Sequence, residues 1–118
     1  MSPEQHLAKG ERILAGMAKF RMPDDYLALI DASLIAGYHF GNALLHKAGV
    51  CPPDTHFNTP SKLERPVSSL PPSIRPAFEA FEGLEALRTR HVRDVVPVDA
   101  SLQKTVQQYL EVMRRAAA

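Results

Sequence analysis

The chain predicts an all-α fold: an up-and-down bundle of four main helices with a long proline-rich crossover between the second and the third. Two observations carry that prediction. Residues 24–48 repeat apolar side chains at helical spacing on two sides at once. Six of the ten prolines then crowd into residues 49–72, which forbids a long helix there, and no alternating strand pattern takes its place. With 118 residues, 45% hydrophobic and 23% charged, the chain reads as one globular domain with one helical core.

Helix one is expected over about residues 3–20. Ser2 can cap it, with Pro3 at its first position and Gln5 as the reciprocal partner of a capping box. Leu7, Leu14, Met17 and Ala18, with Ile13 and Phe20 at the edge, form one apolar stripe beside Lys9, Glu11, Arg12 and Lys19. Met22-Pro23-Asp24-Asp25 breaks this pattern and opens helix two, over residues 24–48, with acids at the positive end of its dipole. Leu27, Ile30, Leu34, Gly37, Gly41, Leu44, Leu45 and Ala48 fall on one side of that helix. Ala28, Ala32, Ile35, His39, Ala43 and His46 fall on the other. Such a helix is either central in a bundle or packed on its own core on one side and on a second chain on the other. Gly49 is placed to end it.

The crossover, residues 49–72, carries cap chemistry for one helical turn at about residues 60–65 and is either a packing arm or part of a site. Helix three is expected over residues 73–92, with Ser73 as cap and Pro76 in the first turn. Ile74, Ala77, Phe78, Phe81, Leu84 and Val92 line its inner side, with Arg88 inside that stripe and Glu85 at its edge. Val95-Val96-Pro97-Val98 ends it. Asp99 is placed to cap helix four, over residues 100–116, whose inner face is Leu102, Val106, Tyr109, Leu110 and Met113. Arg114 and Arg115 suit the negative pole of its dipole.

Charge and cysteine content narrow the classes of function. A net charge of +1 gives no global pull toward nucleic acid or an anionic membrane. The single cysteine, Cys51, leaves no partner for an internal disulfide and fits a reducing compartment. No basic-then-apolar leader opens the chain and no apolar run is long enough to span a bilayer, so a cytoplasmic protein without membrane contact is expected.

Several residues are candidates for a site. His39, Asn42 and His46 share one face of helix two and read as a polar strip in a dimer seam, a small ligand pocket, or hydrogen-bonded semi-buried groups. The spacing of the two histidines lacks the one-turn separation of the usual helical metal pairs, so no metal or other cofactor is assigned. Ser33, Gly37 and Gly41 repeat every fourth residue and suit close packing. Glu85 and Arg88, one turn apart, are aimed inward and need either each other or an anionic ligand. Arg88, Arg90, His91 and Arg93 form the dense basic cluster, either a phosphate or RNA contact or a solvated helix end. Cys51, Asp54, His56 and Asn58 bring together reactive residue types at a spacing that fits no ligand motif. Glycine-rich phosphate loops, Gly-x-Ser-x-Gly and His-Glu-x-x-His are absent, so no residue is assigned as catalytic.

The order Ala32-Ser33-Leu34-Ile35-Ala36-Gly37-Tyr38-His39-Phe40-Gly41-Asn42-Ala43-Leu44-Leu45-His46, then a proline-rich crossover, then Phe81-Glu82-Gly83-Leu84-Glu85-Ala86-Leu87-Arg88, resembles the HEPN-like helical proteins over residues 24–94. The resemblance implies a helical bundle, frequent homodimers, and a role either as a toxin ribonuclease or as a nucleotide-associated accessory module. The ribonucleases of that superfamily carry Arg, a short spacer and His after the third main helix. No arginine of this chain is followed by histidine at that spacing, and Arg88-Thr89-Arg90-His91 brings the two types too close. The expectation is therefore a non-catalytic binding or interaction module, homodimeric through helix two, that engages an anionic small molecule, RNA or a protein. The ligand candidates are His39, Asn42, His46, Glu85, Arg88 and His91. Two alternatives stay open: a ribonuclease with a non-standard Arg and His site, and a metal-dependent enzyme built from His39, His46 and His56.

Overall fold

The computed structural model describes residues 1–94 and 96–118; Val95, expected in the segment that ends helix three, lies outside the described residues. The chain is an all-α bundle of α1 (Pro3–Met17), α2 (Tyr26–Lys47), α3 (Arg75–Arg88) and α4 (Leu102–Ala117). Two 3-10 turns, Pro60–Lys62 and Val67–Ser69, punctuate the crossover, and a π-helical turn, Thr89–Arg93, extends α3. No strand occurs among the described residues.

The helix ends differ from the sequence expectation for local reasons. The capping box at Ser2 and Gln5 is formed, with bonds of 2.8 and 3.1 Å. α1 stops at Met17 rather than residue 20, because Ala18, Lys19 and Phe20 donate three residues back instead of four. α2 starts at Tyr26 rather than residue 24, since the Asp25 carboxylate accepts from Arg21 N at 2.7 Å and closes the preceding turn. Gly49 ends it with a φ of 70°, and Val50 N reaches back to the Leu45 carbonyl at 2.9 Å. Ser73 does not cap α3; the Pro71 carbonyl accepts from Ile74 and Arg75 instead. Asp99 accepts from Ser101 N and Oγ at 2.7 Å, so it caps a turn one step before α4.

α2 is the central element, packed on α1, α3 and α4. From Ala36 to Leu45 every residue but the half-buried Tyr38 is buried. Its first turns are more open: Leu27, expected on the core side, is exposed, and of the second side Ile35 is exposed while Ala43 is fully buried. A glycine-aromatic notch occurs at each sequential seam. A Cβ on Gly10 would lie 2.6 Å from the Phe40 ring, one on Gly37 2.8 Å from Phe81, and one on Gly83 2.5 Å from Tyr109. Gly37 and Gly41 thus serve packing inside the bundle, as their spacing predicts, by admitting the Phe81 ring.

Two inner faces need correction. The buried face of α1 is His6, Gly10 and Met17, while Leu7, Ile13 and Leu14 are only partly buried and Ala18 is exposed. On α3 the inner stripe runs through Phe78, Phe81 and Leu84 to His91, two turns beyond Leu84, and Val92 is exposed. Phe57 and Leu63 of the crossover pack against the core.

Candidate functional site

The polar face of α2 works by gripping the crossover. Asn42 is buried, and its side-chain amide donates to the Tyr38 carbonyl at 2.7 Å and the Phe57 carbonyl at 3.0 Å. Its side-chain oxygen accepts from Phe57 N at 3.1 Å. This two-point clamp fixes one peptide of an otherwise irregular segment. One turn along, His46 Nε2 sits 2.9 Å from the Thr55 carbonyl. That oxygen can only accept, so His46 carries its proton on Nε2 and keeps a bare lone pair on Nδ1.

Between those two anchors lies His56, and the clamp delivers it to a cluster. His56 Nε2 is 3.1 Å from His6 Nε2, and His6 Nδ1 is 3.0 Å from His39 Nδ1. His46 joins the same group, its ring centroid 5.5 Å from that of His6 and 5.0 Å from that of His56. Tyr38 borders the cluster, edge-on to His6 and His39. Four of the five histidines therefore converge from α1, α2 and the crossover.

Burial and nearby positive charge favour the neutral form of His6, His39 and His56. Burial, then the charges that His39, His56 and His46 would carry, lowers His6 from 6.5 to about 4. Burial, then Lys9, lowers His39, and burial, then His46, lowers His56. Neutral imidazoles that each expose a lone pair are the ligand form for a transition metal. His6, His46 and His56 each offer one such atom, and the three atoms lie within 4.8 Å of one another. His39, in the metal-enzyme alternative, is instead the hydrogen-bond partner of His6. His6 belongs to none of the sequence candidates. Its signal is faint: it precedes Gly10 by one turn and Met17 by three, on a face that apolar content alone does not mark.

Next to the cluster, Asp31, Leu34, Ile35, Tyr38 and His39 of α2, Asn58 and Thr59 of the crossover, and Arg88 of α3 line a pocket of about 520 Å³. Arg88 is half-buried and has no hydrogen-bond or ion-pair partner among the described residues. Its expected partner is taken: Glu85 accepts from Ser61 N at 3.1 Å and Ser61 Oγ at 2.5 Å. Burial pushes the Glu85 carboxyl up, but the Ser61 hydrogen bonds outweigh it and hold the group below its ordinary value. Arg88 also lines a wider groove of about 940 Å³, where Lys62, Arg65 and Arg93 alternate with Glu64, Glu82 and Glu85.

The remaining candidates separate. Arg90 and Arg93 are exposed, whereas His91 is buried, makes no ring contact with the other histidines among the described residues, and leaves its Nδ1 without a partner. Of the crossover set, His56 enters the cluster and Asn58 the pocket, while the Cys51 thiol donates to the Thr55 carbonyl at 3.6 Å and is pushed up by burial. Cys51 is free, and no helix among the described residues is long and apolar enough to cross a membrane. In comparison with known proteins, no family model, no curated protein and no solved structure matches the chain.

Proposed function

We propose that this protein is a HEPN-like, non-catalytic binding module that holds an anionic small molecule, of the mononucleotide kind, in the pocket between α2, the crossover and α3. The observation that carries the reading is Arg88, a half-buried guanidinium without a hydrogen-bonded acceptor among the described residues, in a pocket that is otherwise lined by Leu34, Ile35 and Tyr38 together with Asp31, His39, Asn58 and Thr59. A cation so placed favours an anion, and the apolar wall favours a flat body attached to it. The volume, about 520 Å³, lies in the usual range for small-ligand sites. The four-helix order with a packed crossover between the second and third helices supports the HEPN-like part of the reading. Exposed Ala28 and Ile35 lie along one stripe of α2 and support a homodimer through that helix.

Calorimetric titration with a set of mononucleotides and inorganic phosphate tests the site. Saturable binding of a mononucleotide is expected, with Arg88→Met losing it while the melting temperature stays within about 2 °C. Failure of every mononucleotide to bind, or unchanged affinity in Arg88→Met, overturns the reading. Light scattering tests the dimer: twice the chain mass is expected for the native chain and the chain mass for Ile35→Glu. A native monomer at tens of micromolar defeats that part.

A further inference from the structure

Beyond the pocket, the histidine cluster holds a chemical contradiction when counted as hydrogen bonds alone. His46 Nε2 must donate to Thr55, so Nδ1 is an acceptor, and it is buried with no partner. A buried acceptor left unpaired costs roughly 1–3 kcal/mol. His6 uses Nδ1 toward His39, and if it donates there its Nε2 is also a bare lone pair, 3.1 Å from His56 Nε2. No carboxylate hydrogen-bonds to any of the four rings among the described residues, and the pull of Asp54 on a His56 proton is outweighed by burial and by His46.

A cation resolves the count. We propose that His6 Nε2, His46 Nδ1 and one nitrogen of His56 bind a single zinc-class divalent ion. Ligand nitrogens at 2.0–2.1 Å from a tetrahedral zinc stand about 3.3 Å apart. The pair in hand is at 3.1 Å and the whole trio lies within 4.8 Å, so ring adjustments that shorten the longest separation by up to about 1.5 Å close the site. The outer contacts have the form that metal-binding imidazoles use, with the second ring nitrogen tied down. His46 is tied to the Thr55 carbonyl, which fixes its tautomer, and a His6 Nδ1–H donated to His39 leaves the His6 Nε2 lone pair toward the ion. Three neutral imidazoles select zinc, cobalt or nickel over magnesium or calcium, which require oxygen ligands. They also leave one coordination position for an exchangeable fourth ligand. The three ligands come from α1, α2 and the crossover, so the ion would pin the amino-terminal helix and the irregular segment to the centre of the bundle.

The test uses the full chain without an affinity tag, stripped with a chelator and then titrated with zinc or cobalt. One ion per chain is expected, with a rise in melting temperature and, for cobalt, the visible absorption of a tetrahedral nitrogen site. His56→Ala, a change on the crossover that leaves the core intact, should abolish the cobalt spectrum. His39→Leu, which removes only the bond to His6, should weaken binding by about 10- to 100-fold. Cys51→Ser should leave stoichiometry and spectrum unchanged. Stoichiometry near zero in the native chain, retention of the spectrum by His56→Ala, or its loss in Cys51→Ser each overturns the proposal.

Discussion

The two faces of α2 solve the same packing problem by opposite means. Toward α3, Gly37 and Gly41 remove side chains so that the Phe81 ring lies against the helix, and the contact is dry and apolar. Toward α1 and the crossover, His39 meets the His6 ring, and Asn42 and His46 bond to backbone groups of the irregular crossover. The first face is held by shape, which depends little on pH. The second is held by specific acceptors and tautomers, so protons disturb it. The difference shows why the helix is buried almost all round in its second half without being uniformly apolar.

The largest expected effect is on the dry face. Phe81 is 1% exposed and fills the notches of two glycines, so Phe81→Ala should destabilise the fold by about 3–5 kcal/mol, read from urea unfolding. A loss below about 1 kcal/mol would mean that the seam collapses around the gap and that shape is not what holds it.

This face was legible in the sequence because its information is local. Phe78, Phe81, Leu84, Gly37 and Gly41 recur at helical spacing, and periodicity alone assigns them to an inner side. The polar face was legible only in part. His39, Asn42 and His46 could be placed on one surface, but their partners lie elsewhere: His6 is 33 residues from His39 and 50 from His56. No periodicity links them. Glu85 and Arg88 illustrate the opposite error, since one-turn spacing suggested a pair and Ser61, 24 residues away from Glu85, took the carboxylate. The Asn42 clamp also settles a choice left open for the crossover, which is at once a packing arm and the carrier of His56.

The next effect separates the faces by pH. His6 is 1% exposed, and its folded value of about 4 lies below the ordinary 6.5. As pH falls below about 6.5 the unfolded chain takes up a proton that the folded chain refuses until about pH 4. Stability of the metal-free protein is therefore full above pH 6.5 and lost on going down to about 4, by about 3 kcal/mol from this residue. His39 and His56, shifted in the same direction, add to the loss. Phe81→Ala should show the same decrement over this window. His6→Gln, which does not titrate there, should make the curve shallower by the His6 share, and a native stability curve level from pH 7 to 4 would break the contrast between the faces.

The smallest effect compares two glycines of one helix and tests whether notches, rather than glycine itself, matter. Both Gly10 and Gly16 lie in α1 and neither has a positive φ, so alanine is compatible with the backbone at each. Helix propensity favours alanine by up to about 1 kcal/mol at an interior position, and less near an end such as Gly16. At Gly16 nothing lies within 4 Å of a new Cβ, so Gly16→Ala should stabilise the fold by about 0.5 kcal/mol. At Gly10 the same Cβ meets the Phe40 ring at 2.6 Å, and Phe40 is fully buried with no room to swing aside. Overpacking of that kind costs about 1–3 kcal/mol, which exceeds the propensity gain, so Gly10→Ala should be destabilising. Opposite signs in paired thermal melts would assign the α1 seam to the notch. Equal stabilisation by both changes would mean that α1 shifts freely over α2, and a helix that shifts freely could not hold His6 at its 3.0 Å contact with His39.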